Sequence, residues 1–216
     1  MLVGAIAGGG HVVVTGGTTP GDAYRLVASA LRDMDLDASG STLWFSDERC
    51  VSADDELSNS RLVKETLLDG LEGRPQPSVR RIHGELGPDQ AAEDYERELV
   101  EAGRPRFELV LLGMGPDTHV ASMFPGQDAV NERSRLAVGV PQAGHEPLVP
   151  RVTLTLPALA NADRVVIMVT GESKAEAVAR AFGPQATPDP SVPATMLVPL
   201  ADELTVLLDP AAAGRL

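Results

Sequence analysis

The sequence is poor in cysteine, aromatic residues and long apolar runs. Its 216 residues include one cysteine, Cys50, so no disulfide forms within the chain, and a lone thiol is typical of a reducing compartment. No apolar stretch approaches the length, about 18 residues, that a membrane-spanning helix needs. The apolar start, Met1 to Ala7, lacks the basic residues of a secretory signal. We therefore expect a cytoplasmic protein without a membrane segment.

Basic residues are also scarce. The chain has 18 Lys and Arg against 31 Asp and Glu, which gives a formal net charge of −13. A field of this sign repels nucleic acid and anionic lipid, so neither is an expected partner. A small anion can still bind, because salt screens charges more distant than about 8 Å. The electrostatic potential at a binding site is then set by the basic side chains nearby and not by the net charge.

Strands and helices alternate along most of the chain. The run Leu109 to Leu112 is apolar without alternation, as in a strand that is buried on both faces of a parallel sheet. Other strands are predicted at His11 to Thr15, Leu43 to Ser46, Val79 to His83, Leu136 to Val140, Arg151 to Leu156, Arg164 to Thr170 and Leu204 to Leu208. This order predicts one domain over residues 1–216, a three-layer α/β/α Rossmann-like fold with a mostly parallel sheet.

The run Leu109 to Leu112 leads into a glycine-rich turn that carries Asp117 and His119. We expect Asp117 and Thr118 to cap a short helix through Met123, with His119 in its first turn. Open α/β sheets bind ligands at the carboxyl ends of their strands. His119 is therefore either a functional residue or an ordinary surface or core histidine.

Three other strand ends carry polar residues. The turn after the first strand suits a phosphate, although it also fits an ordinary strand-to-helix connection; it consists of Gly16, Gly17, Thr18 and Thr19. Asp47, Glu48 and Arg49 are typical of a solvated loop, from which Arg49 can reach the same edge. Lys174, in the first turn of a later helix, opposes the helix dipole unless an anion lies nearby, but it can also be a solvated surface residue.

Four stretches together resemble the 6-phosphogluconolactonases. They are VTGGTTP at 14–20, DERCVSADDELSN at 47–59, LLGMGPDTHVASMFPG at 111–126, and RVTLTLPAL with VTGESKAEAV at 151–159 and 169–178. The resemblance implies hydrolysis of 6-phospho-D-glucono-1,5-lactone in the oxidative pentose phosphate pathway, in the cytoplasm and without a metal or organic cofactor. It also implies the fold of the glucosamine-6-phosphate deaminases.

The resemblance implies roles for residues that match the family's motifs. The turn at 16–19 lies near the substrate, Asp47 and Arg49 belong to an Asp-Glu-Arg motif, and Lys174 is placed for the phosphate. His119 matches the proposed general base. Asp117 can orient its imidazole if the loop is not helical, and either Arg151 or backbone amides at 115–119 can stabilise the oxyanion.

Three departures from the family pattern are visible. Thr118 replaces a glycine between Asp117 and His119, and we expect a differently shaped loop because β-branched residues disfavour a left-handed backbone. Glu146 replaces the lysine of a Lys-Pro-Pro segment, which removes a cation. Few residues precede the first glycine turn, so an N-terminal strand and helix of the family are expected to be missing.

Two other functions remain open. One is a glucosamine-6-phosphate deaminase, although its Asp-Glu-Tyr and Phe-Asn-Glu-Pro signatures are replaced here by Asp47-Glu48-Arg49 and Ser122-Met123-Phe124-Pro125. The other is a non-catalytic sugar-phosphate-binding module. In either case we expect a small anionic ligand and a monomer or weak homodimer.

Overall fold

Nine strands form two sheets in the computed structural model, which describes residues 1–216. The strands are β1 His11–Val14, β2 Thr42–Phe45, β3 Asp47–Arg49, β4 Ser78–Arg80, β5 Leu109–Gly113, β6 Ala137–Val140, β7 Arg151–Leu154, β8 Val165–Val169 and β9 Leu204–Leu208. Six of them form a central sheet in the order β4-β2-β1-β5-β8-β9, in which all neighbours are parallel. The predicted three-layer α/β/α architecture with a mostly parallel sheet is confirmed.

Six α-helices connect and cover the strands. They are α1 Leu2–Gly8, α2 Thr18–Asp33, α3 Asn59–Val63, α4 Pro88–Glu101, α5 Leu156–Ala160 and α6 Ala175–Phe182. A π-helical segment and a 3-10 turn continue α3, and further 3-10 turns occur at Gly84–Leu86, Asp128–Asn131, Glu172–Lys174 and Pro193–Leu197. The expectation of a missing N-terminal helix is wrong, because α1 precedes β1 and packs against α2 and β1, whereas no strand precedes β1. No helix has both the length and the apolar character that crossing a membrane requires.

The central strands are buried as their composition predicts. Leu109 to Leu112 of β5 and Val12 to Val14 of β1 are all at most 3% exposed. Such strands need apolar residues at every position because both faces of a central parallel sheet are covered. The helix α4 is amphipathic, and its Ala91, Tyr95 and Leu99 are buried against the sheets.

A second, antiparallel sheet contains β3, β7 and β6 in the order β3-β7-β6. We expected a solvated loop at Asp47 to Arg49, and that prediction is wrong. The segment pairs with β7 in a register that places Asp47 opposite Thr153 and Arg49 opposite Arg151. Its partner strand lies about a hundred residues further along the chain, so local composition carried no sign of the pairing.

The loop after β5 also differs from the prediction. No helix forms between Asp117 and Met123. Instead the Gly115 amide donates to the His119 carbonyl and the Thr118 amide donates to the Gly115 carbonyl, at 2.9 and 3.0 Å. Thr118 has φ 75°, so the expectation that it would avoid a left-handed backbone is wrong as well. The tight loop turns the Asp117 and His119 side chains toward each other.

Candidate active site

A cleft of about 430 Å³ opens at the carboxyl ends of β1, β5 and β8. Turns that follow these three strands form most of its wall, and β3 and β7 close one side. The predicted site residues that line it are Gly16, Gly17, Thr18, Thr19, Asp47, Arg49, His119, Arg151 and Lys174. The structure thus brings together residues separated by more than 150 positions, at the sheet edge where α/β folds bind ligands.

Asp117 holds the ring of His119. Its Oδ1 lies 2.5 Å from His119 Nδ1 and 3.2 Å from the His119 backbone nitrogen. Because a carboxylate only accepts, Nδ1 carries a proton, so in the neutral ring Nε2 is the nitrogen with the free lone pair. Burial by itself would raise the pKa of Asp117, but the hydrogen bonds from His119 outweigh it and lower that pKa. Asp117 is therefore an anionic partner of a half-buried imidazole.

Gly115 provides the space for this pair. A Cβ atom at this position would collide with His119 Nδ1 and Asp117 Oδ1. Gly115 is thus required because two side chains approach its Cα closely. A left-handed backbone is not the reason, since its φ is not positive.

The ring of Phe124 lies near both the imidazole of His119 and a buried guanidinium. The rings of His119 and Phe124 are 4.7 Å apart, and the Arg151 guanidinium carbon is 5.9 Å from the centre of the Phe124 ring. Arg151 is 4% exposed. Its Nη2 and Nε donate to the carbonyls of Pro147 and Val149, at 2.7 and 3.2 Å, so Nη1 remains available to a ligand.

The turn at 16–19 presents the first amides of α2 to the cleft. Gly17 precedes the helix with φ 109°, and the amides of Gly17, Thr18 and Thr19 have no acceptor within the chain. Thr19 Oγ1 lies 2.7 Å from Thr170 Oγ1. Free amides and hydroxyls at the positive end of a 16-residue helix favour an anion.

Three cations surround the cleft without a carboxylate partner. Arg49, Arg151 and Lys174 form no ion pair within 4.0 Å, although many other basic residues do. Arg49 donates to the Leu57 carbonyl, and its buried Nε has no partner. Lys174 Nζ donates to the Met114 carbonyl at 3.1 Å, and burial lowers its pKa. Unpaired cations of this kind suit a bound anion.

Asp47 is engaged with hydroxyl groups. Ser46 donates to its Oδ1 at 2.7 Å and Ser122 to its Oδ2 at 2.6 Å, while the Asn59 side chain donates to its carbonyl at 2.8 Å. Asp47 is 5% exposed. These contacts fix the wall of the cleft and leave the carboxylate few free lone pairs.

Sequence reasoning missed several residues of the cleft. Asn59, Thr170 and His145 line it, and the Asn59 amide is so close to the 16–19 turn that a side chain on Gly16 would overlap it. Asn59 directly follows Ser58, the N-cap of α3, and a serine before a helical pattern was the available signal. His145 lies in the loop between β6 and β7, and Glu146 does not line the cleft. No group of three or more His, Cys, Asp or Glu residues is arranged to hold a metal ion.

Comparisons with known proteins agree with one another. The family model described as glucosamine-6-phosphate isomerases/6-phosphogluconolactonase matches residues 4–206. A 6-phosphogluconolactonase of Mycobacterium leprae is 37% identical over 215 residues, which cover 94% of this chain and 83% of the relative. The human 6-phosphogluconolactonase is 38% identical over 179 residues, which cover 81% of this chain and 68% of the relative.

Solved structures show the same likeness. The 6-phosphogluconolactonase of Trypanosoma brucei superposes with a TM-score of 0.80 at 27% identity, covering 95% of this chain and 86% of that one. A monomeric glucosamine-6-phosphate deaminase superposes with a TM-score of 0.84 over 100% of this chain and 92% of that one, but at 19% identity. The second likeness concerns the fold alone.

Proposed function

The chain belongs to the glucosamine-6-phosphate isomerase/6-phosphogluconolactonase family, and from this membership we propose that it hydrolyses 6-phospho-D-glucono-1,5-lactone to 6-phosphogluconate. The reaction belongs to the oxidative pentose phosphate pathway, and we place it in the cytoplasm. The Asp117–His119 pair carries the proposal, because it puts an oriented base, with 2.5 Å between Oδ1 and Nδ1, in a cleft lined by unpaired cations.

His119 is the general base in this proposal. Hydrolysis of a lactone requires water to attack the carbonyl carbon, C1, and to lose a proton as it does so. The Nδ1 proton is held by Asp117, so Nε2 can accept the proton of the water, and Asp117 stabilises the imidazolium that results. A positioned base of this kind contributes about 10²- to 10⁴-fold to a rate.

Arg151 is the donor that we assign to the oxyanion. The amides of Gly115, Thr118 and His119 are already bound to acceptors of their own loop, and Asp117, whose amide has no acceptor, does not line the cleft. Arg151 lies in the cleft with a free Nη1. A buried, preorganised cation stabilises developing negative charge better than bulk water does.

The phosphate is expected at the turn that begins α2. The amides and hydroxyls of Thr18 and Thr19 can donate to its oxygens, and Arg49 and Lys174 supply positive charge. Anchoring the substrate at its phosphate fixes the lactone relative to His119, which lowers the entropic cost of reaching the transition state.

The test is the rate of lactone loss, with 6-phosphogluconolactone generated in place and the uncatalysed rate subtracted. We expect wild type to accelerate hydrolysis and His119→Ala to lose about 10²- to 10⁴-fold in kcat, while 6-phosphogluconate still binds. His83→Ala is the matched control, because His83 is an exposed histidine that pairs with Glu85 outside the cleft. An unchanged kcat in His119→Ala would refute the base assignment.

Two results would replace the proposal. Release of ammonia from glucosamine 6-phosphate would indicate a deaminase, although the replaced Asp-Glu-Tyr and Phe-Asn-Glu-Pro signatures do not favour it. Binding of 6-phosphogluconate by folded wild type without any acceleration of hydrolysis would indicate a sugar-phosphate-binding module.

A further inference from the structure

A second imidazole faces the first across the cleft. His145 lies in the loop between β6 and β7 and lines the cleft, and its ring centre is 5.8 Å from that of His119 at an interplanar angle of 45°. On the basis of the proposed lactonase function, we infer that His145 is a further catalytic residue, which donates a proton to the ring oxygen of the lactone as that oxygen leaves.

The hydrogen bonding of His145 leaves one ring nitrogen for this task. Its Nδ1 lies 3.0 Å from the backbone oxygen of Glu146. A carbonyl oxygen only accepts, so Nδ1 carries a proton. Nε2 is then the nitrogen that can exchange a proton with a ligand, as in His119, whose Nδ1 is held by Asp117. In each ring a partner within the chain holds the Nδ1–H group, which leaves Nε2 as the nitrogen that exchanges protons.

The loop that carries His145 is tethered on several sides. Gly144 packs so closely on Phe124 that a Cβ atom would lie 2.8 Å from the Cβ of Phe124, and Phe124 also contacts the ring of His119. The Arg151 guanidinium donates to the Pro147 carbonyl at 2.7 Å, and the Gln127 side chain donates to the Gln142 carbonyl at 2.9 Å. His145 is therefore held beside His119 by packing and by hydrogen bonds.

The reaction needs both a proton acceptor and a proton donor. His119 Nε2 takes a proton from water as an electron pair of the water oxygen forms the bond to C1. When the C1–O5 bond breaks, its electron pair stays on O5, and an alkoxide is a poor leaving group. The imidazolium of His145 gives its Nε2 proton to O5, which leaves as a hydroxyl group.

Proton return completes the cycle. After the ring opens, His119 is an imidazolium and His145 is neutral. One proton moves from His119 to His145 across the gap between the rings, directly or through one water molecule, and both residues regain their starting forms. The balance is one water consumed, one C1–O5 bond cleaved and one proton released to solvent as the new carboxylic acid ionises, and no other reactant is needed.

The experiment compares the steady-state kinetics of wild type, His145→Ala, His145→Gln and His83→Ala on 6-phosphogluconolactone, with thermal unfolding of each variant as a check on folding. We expect both His145 variants to lose about 10²-fold in kcat, with KM within about twofold of wild type. Glutamine can donate a hydrogen bond but cannot release its proton, so it should not replace histidine.

Added imidazole separates a missing proton donor from a structural defect. We expect imidazole to restore part of the kcat of His145→Ala, after subtraction of an enzyme-free imidazole blank, and to leave wild type and His83→Ala unchanged. A kcat within twofold of wild type would overturn the inference, and so would a loss in kcat that imidazole does not restore. If wild type itself does not accelerate hydrolysis, the proposed function fails and the role of His145 fails with it.

Discussion

Thr118 is held in a backbone conformation that β-branched residues rarely adopt. Its φ is 75°, its side chain is fully buried, and its Oγ1 has no hydrogen-bond partner. A left-handed backbone costs about 1–2 kcal/mol for a residue with a Cβ. The surrounding loop imposes it, because the Thr118 amide and carbonyl are bound to Gly115 and Ala194. Strain of this kind next to a base is common at functional sites.

The buried Thr118 hydroxyl leads to a prediction about stability. Thr118→Val keeps the side-chain shape and the backbone strain but removes a buried hydroxyl that is shielded from water and has no hydrogen-bond partner. We therefore expect the free energy of unfolding to rise by about 1 kcal/mol. Thr155→Val is the control, because the equally buried Thr155 donates to the Arg135 carbonyl at 2.8 Å, and this variant should be destabilised. Urea unfolding measures both, and a less stable Thr118→Val would contradict the expectation.

Gly115 gives a prediction about activity. Gly115→Ala places a methyl group where Asp117 and His119 meet, so we expect kcat to fall by about 10²-fold through misplacement of the imidazole. Gly4→Ala, in α1 and outside the cleft, meets no atom within 4 Å and should keep wild-type kcat. Equal kinetics for the two variants would show that the Asp117–His119 contact does not matter for turnover.

At the scale of elements, β3 joins the small sheet to α3 through a buried carboxylate. Glu48 is 2% exposed. Its Oε1 accepts from the amides of Asn59 and Arg49, both at 2.7 Å, and its Oε2 accepts from the amide of Ser60 at 2.8 Å. A carboxylate at a helix N-terminus satisfies amides that have no acceptor in the helix. The Asp-Glu-Arg segment is thus structural as well as part of the site.

Removing the charge of Glu48 should destabilise this connection. In Glu48→Gln one oxygen becomes an NH₂ group that faces backbone donors, and we expect a loss of about 1–3 kcal/mol in the free energy of unfolding. Glu56→Gln is the control, because Glu56 is exposed in the segment between β3 and α3. We expect this variant to be as stable as wild type. Urea unfolding followed by circular dichroism gives the free energy of unfolding of both variants. Equal unfolding midpoints for Glu48→Gln and Glu56→Gln would exclude the capping role of Glu48.

At the scale of the whole molecule, the two sheets share one apolar core. The buried residues form a single cluster of 52, in which Val138 and Val152 of the small sheet belong with Val13 and Leu111 of the central sheet. Continuity of this kind favours cooperative unfolding. We therefore propose that residues 1–216 form one domain.

Cooperative unfolding can be measured directly. The single tryptophan, Trp44, is buried in β2, so its fluorescence reports on the central sheet, whereas far-ultraviolet circular dichroism reports on all elements. We expect the two urea transitions to coincide. Separate midpoints would indicate that the small sheet unfolds independently, which would contradict a single domain.

The sequence by itself determined the fold class, eight of the nine strands and nine of the 22 residues that line the cleft. Apolar runs such as Leu109 to Leu112 predict buried parallel strands from composition alone. Polar residues that follow parallel strands lie at the same edge of the sheet, where the strands have their carboxyl ends. The sequence could therefore predict that the 16–19 turn, His119 and Lys174 share one site. Local pattern suffices here because the sheet geometry is general to parallel α/β folds.

Only the tertiary structure decided the remaining features. Asp47 to Arg49 forms a strand because β7 pairs with it, and Thr118 adopts a positive φ because Gly115 and Ala194 bind its backbone. The rings of His145 and His119 lie near each other because Gly144 packs on Phe124. Each feature depends on contacts between residues that are distant in the sequence. The energies of these contacts override local propensity, and the local hydrophobic pattern does not reveal them.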